Sequence, residues 1–460
     1  MKNRKSIKVA AVIIATDHGE EMRSNTPKVL HPLLGRPSIW YMIEAAQGAA
    51  EAKPILVTGQ GWEQVQQEVG QAANFVIQEP QQGSGQAVLQ TKGLLSDKTD
   101  YLLVITANIP LLTSGTLEKV VTAHHHSVNQ NKPAPPFTIL KTPLSKSSSD
   151  VRLDRDENGP PVGTQASTEQ LELHEFNTSV YCFTADWLWQ ALARIPRSSS
   201  GEYDLADLAP LAAADGLPVQ TLTLEDSNEA IEINNRVQLA EAEATLQERI
   251  NASLMLNGVT FIDPKRTYIQ PGVEIGIDTV IWPNTYLQGA TQIGKNCTIG
   301  PDCSIHDTKI GDRCKVVYSF TEGAILEDNV DIGPFARLRK GAHLANGVHM
   351  GNFGEIKNAY LGPGTKMGHF SYIGDAKIGP EVNIGAGVIT ANYDGKQKYT
   401  TEIGAGAFIG SDSMLVAPVK IGEGARTGAG AVVTKDVPPN TLAVGMPARA
   451  IRKKEEDDGS

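Results

Sequence analysis

From residue 258 onward, an aliphatic residue followed by glycine returns at short, regular intervals. Examples are Val273-Glu-Ile-Gly276, Gln292-Ile-Gly294, Thr298-Ile-Gly300, Lys309-Ile-Gly311, Tyr372-Ile-Gly374, Lys377-Ile-Gly379, Asn383-Ile-Gly385, Phe408-Ile-Gly410 and Lys420-Ile-Gly422. Many of the gaps are six residues or multiples of about six, the signature of a parallel β-helix built from hexapeptides. One aliphatic side chain per hexad points inward and stacks on the next coil. The small residue after it turns the corner, where a bulky Cβ does not fit. Strands of three residues at a fixed period fall well short of the usual five or six, which argues against an ordinary sandwich. Of the 44 glycines, 29 lie in residues 258–450 and only 14 in residues 1–257.

The first half reads differently. Apolar runs at Val9–Ala15, Pro54–Gly59, Asn74–Gln78 and Tyr101–Thr106 alternate with helical patterns at Ser38–Ala49 and Trp62–Val69. That alternation implies βαβ units and a mostly parallel, Rossmann-like α/β sheet. Residues 130–170, rich in Ser, Pro, Asp and Asn, read as surface loops. The expected organisation is an α/β domain over 1–236, an amphipathic linker helix over 237–257, a β-helix over 258–450 and a disordered charged tail over 451–460.

Charge and composition exclude several classes. With 41 Lys and Arg against 52 Asp and Glu, the net charge of −11 argues against a general nucleic-acid binder. No apolar run reaches the roughly 18–20 residues needed to cross a bilayer. Val9–Ala15 is too short for a signal peptide and lacks a small-residue cleavage site, so a cytoplasmic protein is expected. The cysteines, Cys182, Cys297, Cys303 and Cys314, read as buried fillers. Consecutive histidines on a helix point in different directions, so His124, His125 and His126 read as solvated surface.

The motifs themselves are familiar. Met22-Arg-Ser-Asn-Thr-Pro-Lys28, Gln78-Glu-Pro-Gln81-Gln-Gly83, Glu175-Phe-Asn177-Thr and Ile233-Asn234 resemble the first domain of the bifunctional N-acetylglucosamine-1-phosphate uridyltransferase / glucosamine-1-phosphate acetyltransferase family. Gly333-Pro-Phe-Ala-Arg-Leu-Arg339, Gly351-Asn-Phe-Gly-Glu-Ile-Lys357, Gly368-His369-Phe-Ser-Tyr372, Asn383-Ile-Gly-Ala-Gly and Ala391-Asn392-Tyr-Asp-Gly resemble its acetyltransferase domain more closely. The resemblance spans nearly the whole chain. It implies a nucleotidyltransferase fold in front, a β-helix of left hand behind, and a homotrimer. The hand comes from the family, because it departs from the usual right-handed crossover.

Departures are concentrated in front. Where the family has a Gly-rich phosphate loop ending Gly-Thr-Arg-Met, this chain reads Ile14-Ala-Thr-Asp17-His-Gly19-Glu20-Glu21-Met22, with Asp17 in place of the first glycine and Glu21 in place of the arginine. A phosphate cradle needs close backbone N–H groups and positive charge. At about 5 Å and an effective dielectric near 20, one charge pair is worth about 3 kcal/mol. The family's Mg²⁺-binding Asp is Asn108 here, and a neutral amide is a weaker ligand for a hard cation. Asn108 and Asn234 would be the metal's only remaining partners, and Mg²⁺ is required only if uridyl transfer still works. A family glycine near Val151 and a Glu-x-Lys near Val162–Thr164 are also missing. Lys28, Gln78, Gln81, Gly83 and Asn177 survive as residual nucleotide-binding positions.

The acetyltransferase set is intact. Acetyl transfer from a thioester to an amine needs a base, and His369 is the candidate, with Glu355 as a group that orients it. Arg339, Lys357 and Lys398 form a phosphate clamp. Tyr372, Asn383 and Asn392 bond sugar and acetyl groups, although Asn383 at a β-helix corner serves equally as a structural ladder. By resemblance, acetyl-CoA lies along Ala386, Ser411 and Ala429. Gly354 replaces a usual Val, Ala391 a usual Cys, and the ending Val444-Gly-Met446-Pro-Ala-Arg449 departs from the family. The expected activity is acetyl transfer to glucosamine 1-phosphate for UDP-N-acetylglucosamine synthesis, behind an impaired nucleotidyltransferase. The alternatives are the full bifunctional enzyme and a non-catalytic sugar-nucleotide-binding trimer.

Overall fold

The computed structural model describes residues 7–452 except 18, 51, 60, 144–150, 156–160, 167–174 and 199–200. The tail from 453, expected to be disordered, lies outside them. The chain divides into two compact units, Met1–Leu246 and Gln247–Ser460, and the division falls inside helix Arg236–Leu256.

The first unit is built on seven strands: β1 (Val9–Ala15), β2 (Ile55–Thr58), β3 (Asn74–Ile77), β4 (Tyr101–Thr106), β5 (Phe137–Pro143), β6 (Glu175–Thr184) and β7 (Gln220–Thr223). Their order is β7-β5-β6-β4-β1-β2-β3, and β1 runs parallel to both β2 and β4. Helices cover both faces, which is why β1 is an unbroken apolar run rather than an alternating one. The chain leaves β1 toward β2 on one side and later returns to β4 on the other. Ligands in open α/β sheets bind outside the carboxyl ends of strands at such a switch point. Here that point is marked by Thr16-Asp17 after β1 and Ala107-Asn108 after β4.

Two expectations fail in this unit. Residues 130–170 are not only loops: β5 is a core strand with Phe137 fully buried, and Val151–Arg155 pairs with Pro161–Ala166 as an antiparallel hairpin. The Pro and Ser residues on either side of Phe137-Thr-Ile-Leu hid a strand whose apolar stretch is short. His124 is also not at the surface. It is wholly buried, with Nδ1 at 3.0 Å from Thr138 Oγ1 and Nε2 at 3.1 Å from Thr184 Oγ1. Burial lowers its pKa to about 4, which keeps it neutral in the core.

The second unit is a left-handed parallel β-helix with three faces, one sheet to a face. Along one face most strands pair with a strand 16–18 residues further on, as in Val280↔Thr298, Thr298↔Lys315 and Lys315↔Asp331. The register stacks the inward aliphatics into columns, for example Leu338, Ile356 and Ile373, all fully buried. Buried columns of this kind, not side-chain hydrogen bonds, hold such short strands together. One coil is longer. The step Ile378↔Ile403 spans 25 residues where Leu361↔Ile378 spans 17, so eight extra residues bulge out between Ala391 and Thr401. The second half of helix Arg236–Leu256 closes one end of the prism. Gln247 Oε1 accepts the Ile269 amide at 3.1 Å, and Asn251 Nδ2 donates to the carbonyls of Pro264 and Thr267.

Candidate active site

At the switch point of the first unit, the retained lysine is already engaged. Lys28, almost fully buried, pairs with the Asp17 carboxylate and donates to Asn234 Oδ1 at 3.0 Å. Gly19 is packed so tightly on Lys28 that a Cβ there would lie 2.7 Å from the lysine Cβ, and its amide donates to Asp17 Oδ1 at 2.8 Å. Asn108 Nδ2 reaches the same Asn234 oxygen at 3.5 Å, and Asn234 Nδ2 donates to Glu232 Oε2. The Asn234 oxygen already faces an ammonium, whereas Asn108 Oδ1 is buried without a hydrogen-bond partner. Among the described residues no group of three or more His, Cys, Asp or Glu is arranged to hold a metal ion. Asn234 thus belongs to a hydrogen-bond network around Lys28, which Asn108 joins through its Nδ2 alone.

The other front positions gather at the same edge. Gln78 Nε2 donates to Gly83 O at 3.0 Å, while its Oε1 is buried and unpartnered, as is Thr58 Oγ1. Gln81 Nε2 donates to Thr16 O at 2.7 Å. Gly83, at φ +93°, precedes the helix Ser84–Leu89. Asn177 spends its amide internally, donating to Tyr181 Oη at 2.5 Å and accepting the Ser179 amide at 2.9 Å. The side chains of Val151 and Val162–Thr164 lie outside the described residues.

In the prism the expected groups fall into two clusters joined by one strand. The first runs along a corner. Gly351-Asn352, Gly368-His369 and Gly385-Ala386 occupy successive coils, followed by Gly410-Ser411 and Gly428-Ala429. Backbone bonds knit the corner together: Gly387 N donates to Phe370 O, Asp412 N to Ala386 O and Gly430 N to Ser411 O. Asn383 sits on the strand entering this corner, in register with Lys366 and Phe408. His369 Nδ1 is 3.2 Å from Asn352 Oδ1. An amide oxygen only accepts, so this bond places the imidazole proton on Nδ1 and leaves the Nε2 lone pair free to act as a base.

The second cluster is cationic. Arg339 Nη1 lies 2.9 Å from Glu355 Oε1, so Glu355 braces the arginine and not the imidazole, contrary to the role expected for it. Arg339 first, and then Lys398, hold the Lys357 ammonium below the ordinary lysine pKa. Like charges gathered without a ligand have this effect. Lys398 is carried by the eight-residue bulge, which is braced rather than loose. Tyr393 bridges Lys398, Tyr399 N donates to Asn392 O at 2.8 Å, and the amides of Gln397 and Lys396 hold Asp394 below the usual carboxylate range. Asn392 donates to the Asp375 carboxylate, which also accepts from Asn358 Nδ2 at 2.6 Å.

Strand Tyr372–Gly374 begins three residues after His369 and pairs with Glu355–Lys357 in the coil before it. Its Tyr372 side chain lies along the face, with its hydroxyl over Gly374 and close to Asn392. A Cβ on Gly374 would strike that hydroxyl and lie 2.9 Å from Asn392 Nδ2. Gly374→Ala is thus expected to push the hydroxyl aside, raising the KM for the sugar phosphate severalfold. The melting temperature should stay within a few degrees, and steady-state kinetics with a thermal scan checks both. Gly354 is explained by volume: its missing side chain leaves room for the Cε atoms of Met350 and Met367, which would lie 2.7 and 2.6 Å from a Cβ there. The space a side chain would take is filled from the core side.

Known proteins agree with this division. Residues 11–141 match the MobA-like NTP transferase domain, and residues 290–318 and 400–435 match the bacterial transferase hexapeptide repeats. A bifunctional protein GlmU from Heliobacterium modesticaldum is 40% identical over 442 residues, covering 95% of each chain. The chain belongs to the GlmU family. Other GlmU proteins, from a Geobacillus species and from Fervidobacterium nodosum, are 38% and 39% identical and cover 98% and 96% of this chain. Two residues of this GlmU-family site escaped the sequence reading. Asn352 precedes His369 by one coil, and Asp375 precedes Asn392 by one coil. The period itself was the available signal, since residues one coil apart stack.

Proposed function

We propose that the prism transfers the acetyl group of acetyl-CoA to the amine of glucosamine 1-phosphate, giving N-acetylglucosamine 1-phosphate for UDP-N-acetylglucosamine synthesis. The observation that carries this reading is a free imidazole Nε2 at one end of a short strand and three cations at the other, with Tyr372 between them. Arg339, Lys357 and Lys398 take the phosphate, while Tyr372, Asn383 and Asn392 hold the sugar and acetyl groups. His369 Nε2 accepts the proton of the attacking amine. The new N–C bond forms, the thioester C–S bond breaks, and the proton passes to the departing thiolate. The small side chains of Ala386, Ser411 and Ala429 leave a track along the corner for the coenzyme.

The working form is a cytoplasmic homotrimer. Tyr318, Phe335, Phe353 and Phe370 recur one coil apart, all exposed, with Phe335 and Phe353 stacked at 5.2 Å. A second copy of the prism covers such a ridge. The described helices include none long and apolar enough to cross a membrane.

The test is acceptor dependence. Purified protein with acetyl-CoA is expected to release one free thiol per glucosamine 1-phosphate consumed, and almost none with glucosamine or with glucose 1-phosphate. Thiol release that ignores the acceptor, or no release at all, rules the reading out.

A further inference from the structure

The front pocket contains its own counter-ions. Lys28 is 5% exposed, and its single ammonium is shared between the Asp17 carboxylate and Asn234 Oδ1. The Gly19 amide, the other donor that a phosphate loop would turn to its ligand, is held by the same carboxylate at 2.8 Å. Asp17 itself is 66% exposed, so its carboxylate meets solvent while the lysine it pairs with is buried. The Asn234 oxygen that would face a metal faces this ammonium and the Asn108 amide instead. A metal-bound polyphosphate brings a divalent cation and several negative charges to such a place. Here the ammonium of Lys28 and the carboxylate of Asp17 already stand there, with Glu232 bonded to Asn234 beside them.

We propose that Asp17, by neutralising Lys28 and the Gly19 amide, is the residue that excludes polyphosphate from the front site. The rest of the pocket keeps hydrogen-bonding capacity for an uncharged polar ligand. Gln78 Oε1 and Thr58 Oγ1 are buried without a partner, and each belongs to a residue 1% exposed. The Gln81 bond to Thr16 O ties the segment after Gln78 to the strand end that carries Asp17. Discrimination by charge is therefore separate from recognition of the ligand's neutral part. Desolvating a phosphate against a fixed carboxylate is unfavourable, whereas a neutral ring meets no such charge.

The experiment is calorimetric titration of the full-length protein with UTP plus Mg²⁺, with uridine, and with tripolyphosphate as a probe lacking a base. It is run on the wild type, Asp17→Asn and Asp17→Gly. The wild type is expected to bind UTP no more tightly than uridine and to give no heat with tripolyphosphate. Asp17→Gly is expected to gain at least tenfold in UTP affinity and to bind tripolyphosphate, with uridine unchanged. Asp17→Asn, which keeps the shape, should fall between them and guards against misfolding of the glycine variant. Tight magnesium-dependent UTP binding by the wild type overturns the proposal, and so does equal UTP affinity or no UTP binding in all three proteins. The thiol-release assay on the same samples reads the other domain, so failure here is distinguishable from failure of the acetyltransferase reading.

Discussion

His369→Ala is expected to lower the rate of acetyl transfer to the sugar amine by about a hundredfold to ten-thousandfold, the usual contribution of a positioned general base. The loss should fall on kcat, with the KM for acetyl-CoA little changed, because the coenzyme track proposed at Ala386, Ser411 and Ala429 lies on other coils. Asn352→Ala should lie between this variant and the wild type. It leaves the ring in place but removes the acceptor at 3.2 Å that fixes the proton on Nδ1. Part of the neutral population then carries its proton on Nε2, where it cannot accept another. Single-turnover thiol release with saturating acetyl-CoA separates these effects from binding. A wild-type rate in His369→Ala would remove the imidazole from the chemistry.

The second large effect concerns the phosphate clamp and its dependence on pH. Arg339→Ala is expected to raise the KM for glucosamine 1-phosphate by about tenfold to a hundredfold, as charge-assisted hydrogen bonds are worth about 1.5–3 kcal/mol. The same arginine, followed by Lys398, holds Lys357 below the ordinary lysine pKa. The protonated amine binds phosphate and the neutral amine does not. Acceptor affinity is therefore complete at neutral pH and falls as pH rises through that lowered value, earlier than an isolated lysine would cause. Lys398→Met removes one of the repelling neighbours. It should weaken binding at neutral pH but move the alkaline loss to higher pH. A KM that stays flat from pH 7 to pH 10 would show that Lys357 does not hold the phosphate.

The prism was legible in the sequence because its period is short and strict: one aliphatic and one small residue per hexad determine strand, corner and register at once. The resemblance named Arg339, Lys357, His369 and Tyr372, and the structure places them on neighbouring coils. What could not be read were interactions whose partners lie far apart in the chain. His124 is buried because Thr138 and Thr184 come to it from β5 and β6. Phe137–Pro143 is a core strand only because β6 and β7 flank it. Asp17 read as a charge that repels phosphate, and the structure shows that it is also a partner: Lys28 takes it up, and Asn234, 206 residues from Lys28, completes the arrangement. Gly354 read as a departure from the family's valine, and Met350 and Met367 occupy the space that side chain would take.

The stacked corner at His369 also behaves as a measuring rod. Each coil adds about 4.8 Å, so the three steps from His369 to Ala429 span about 14 Å along an axis that its buried columns make nearly incompressible. An acyl donor laid against it must bring its reactive carbon to the imidazole by its own length. On the proposed coenzyme track, a carrier with a shorter or longer arm is expected to be a poorer donor through distance alone.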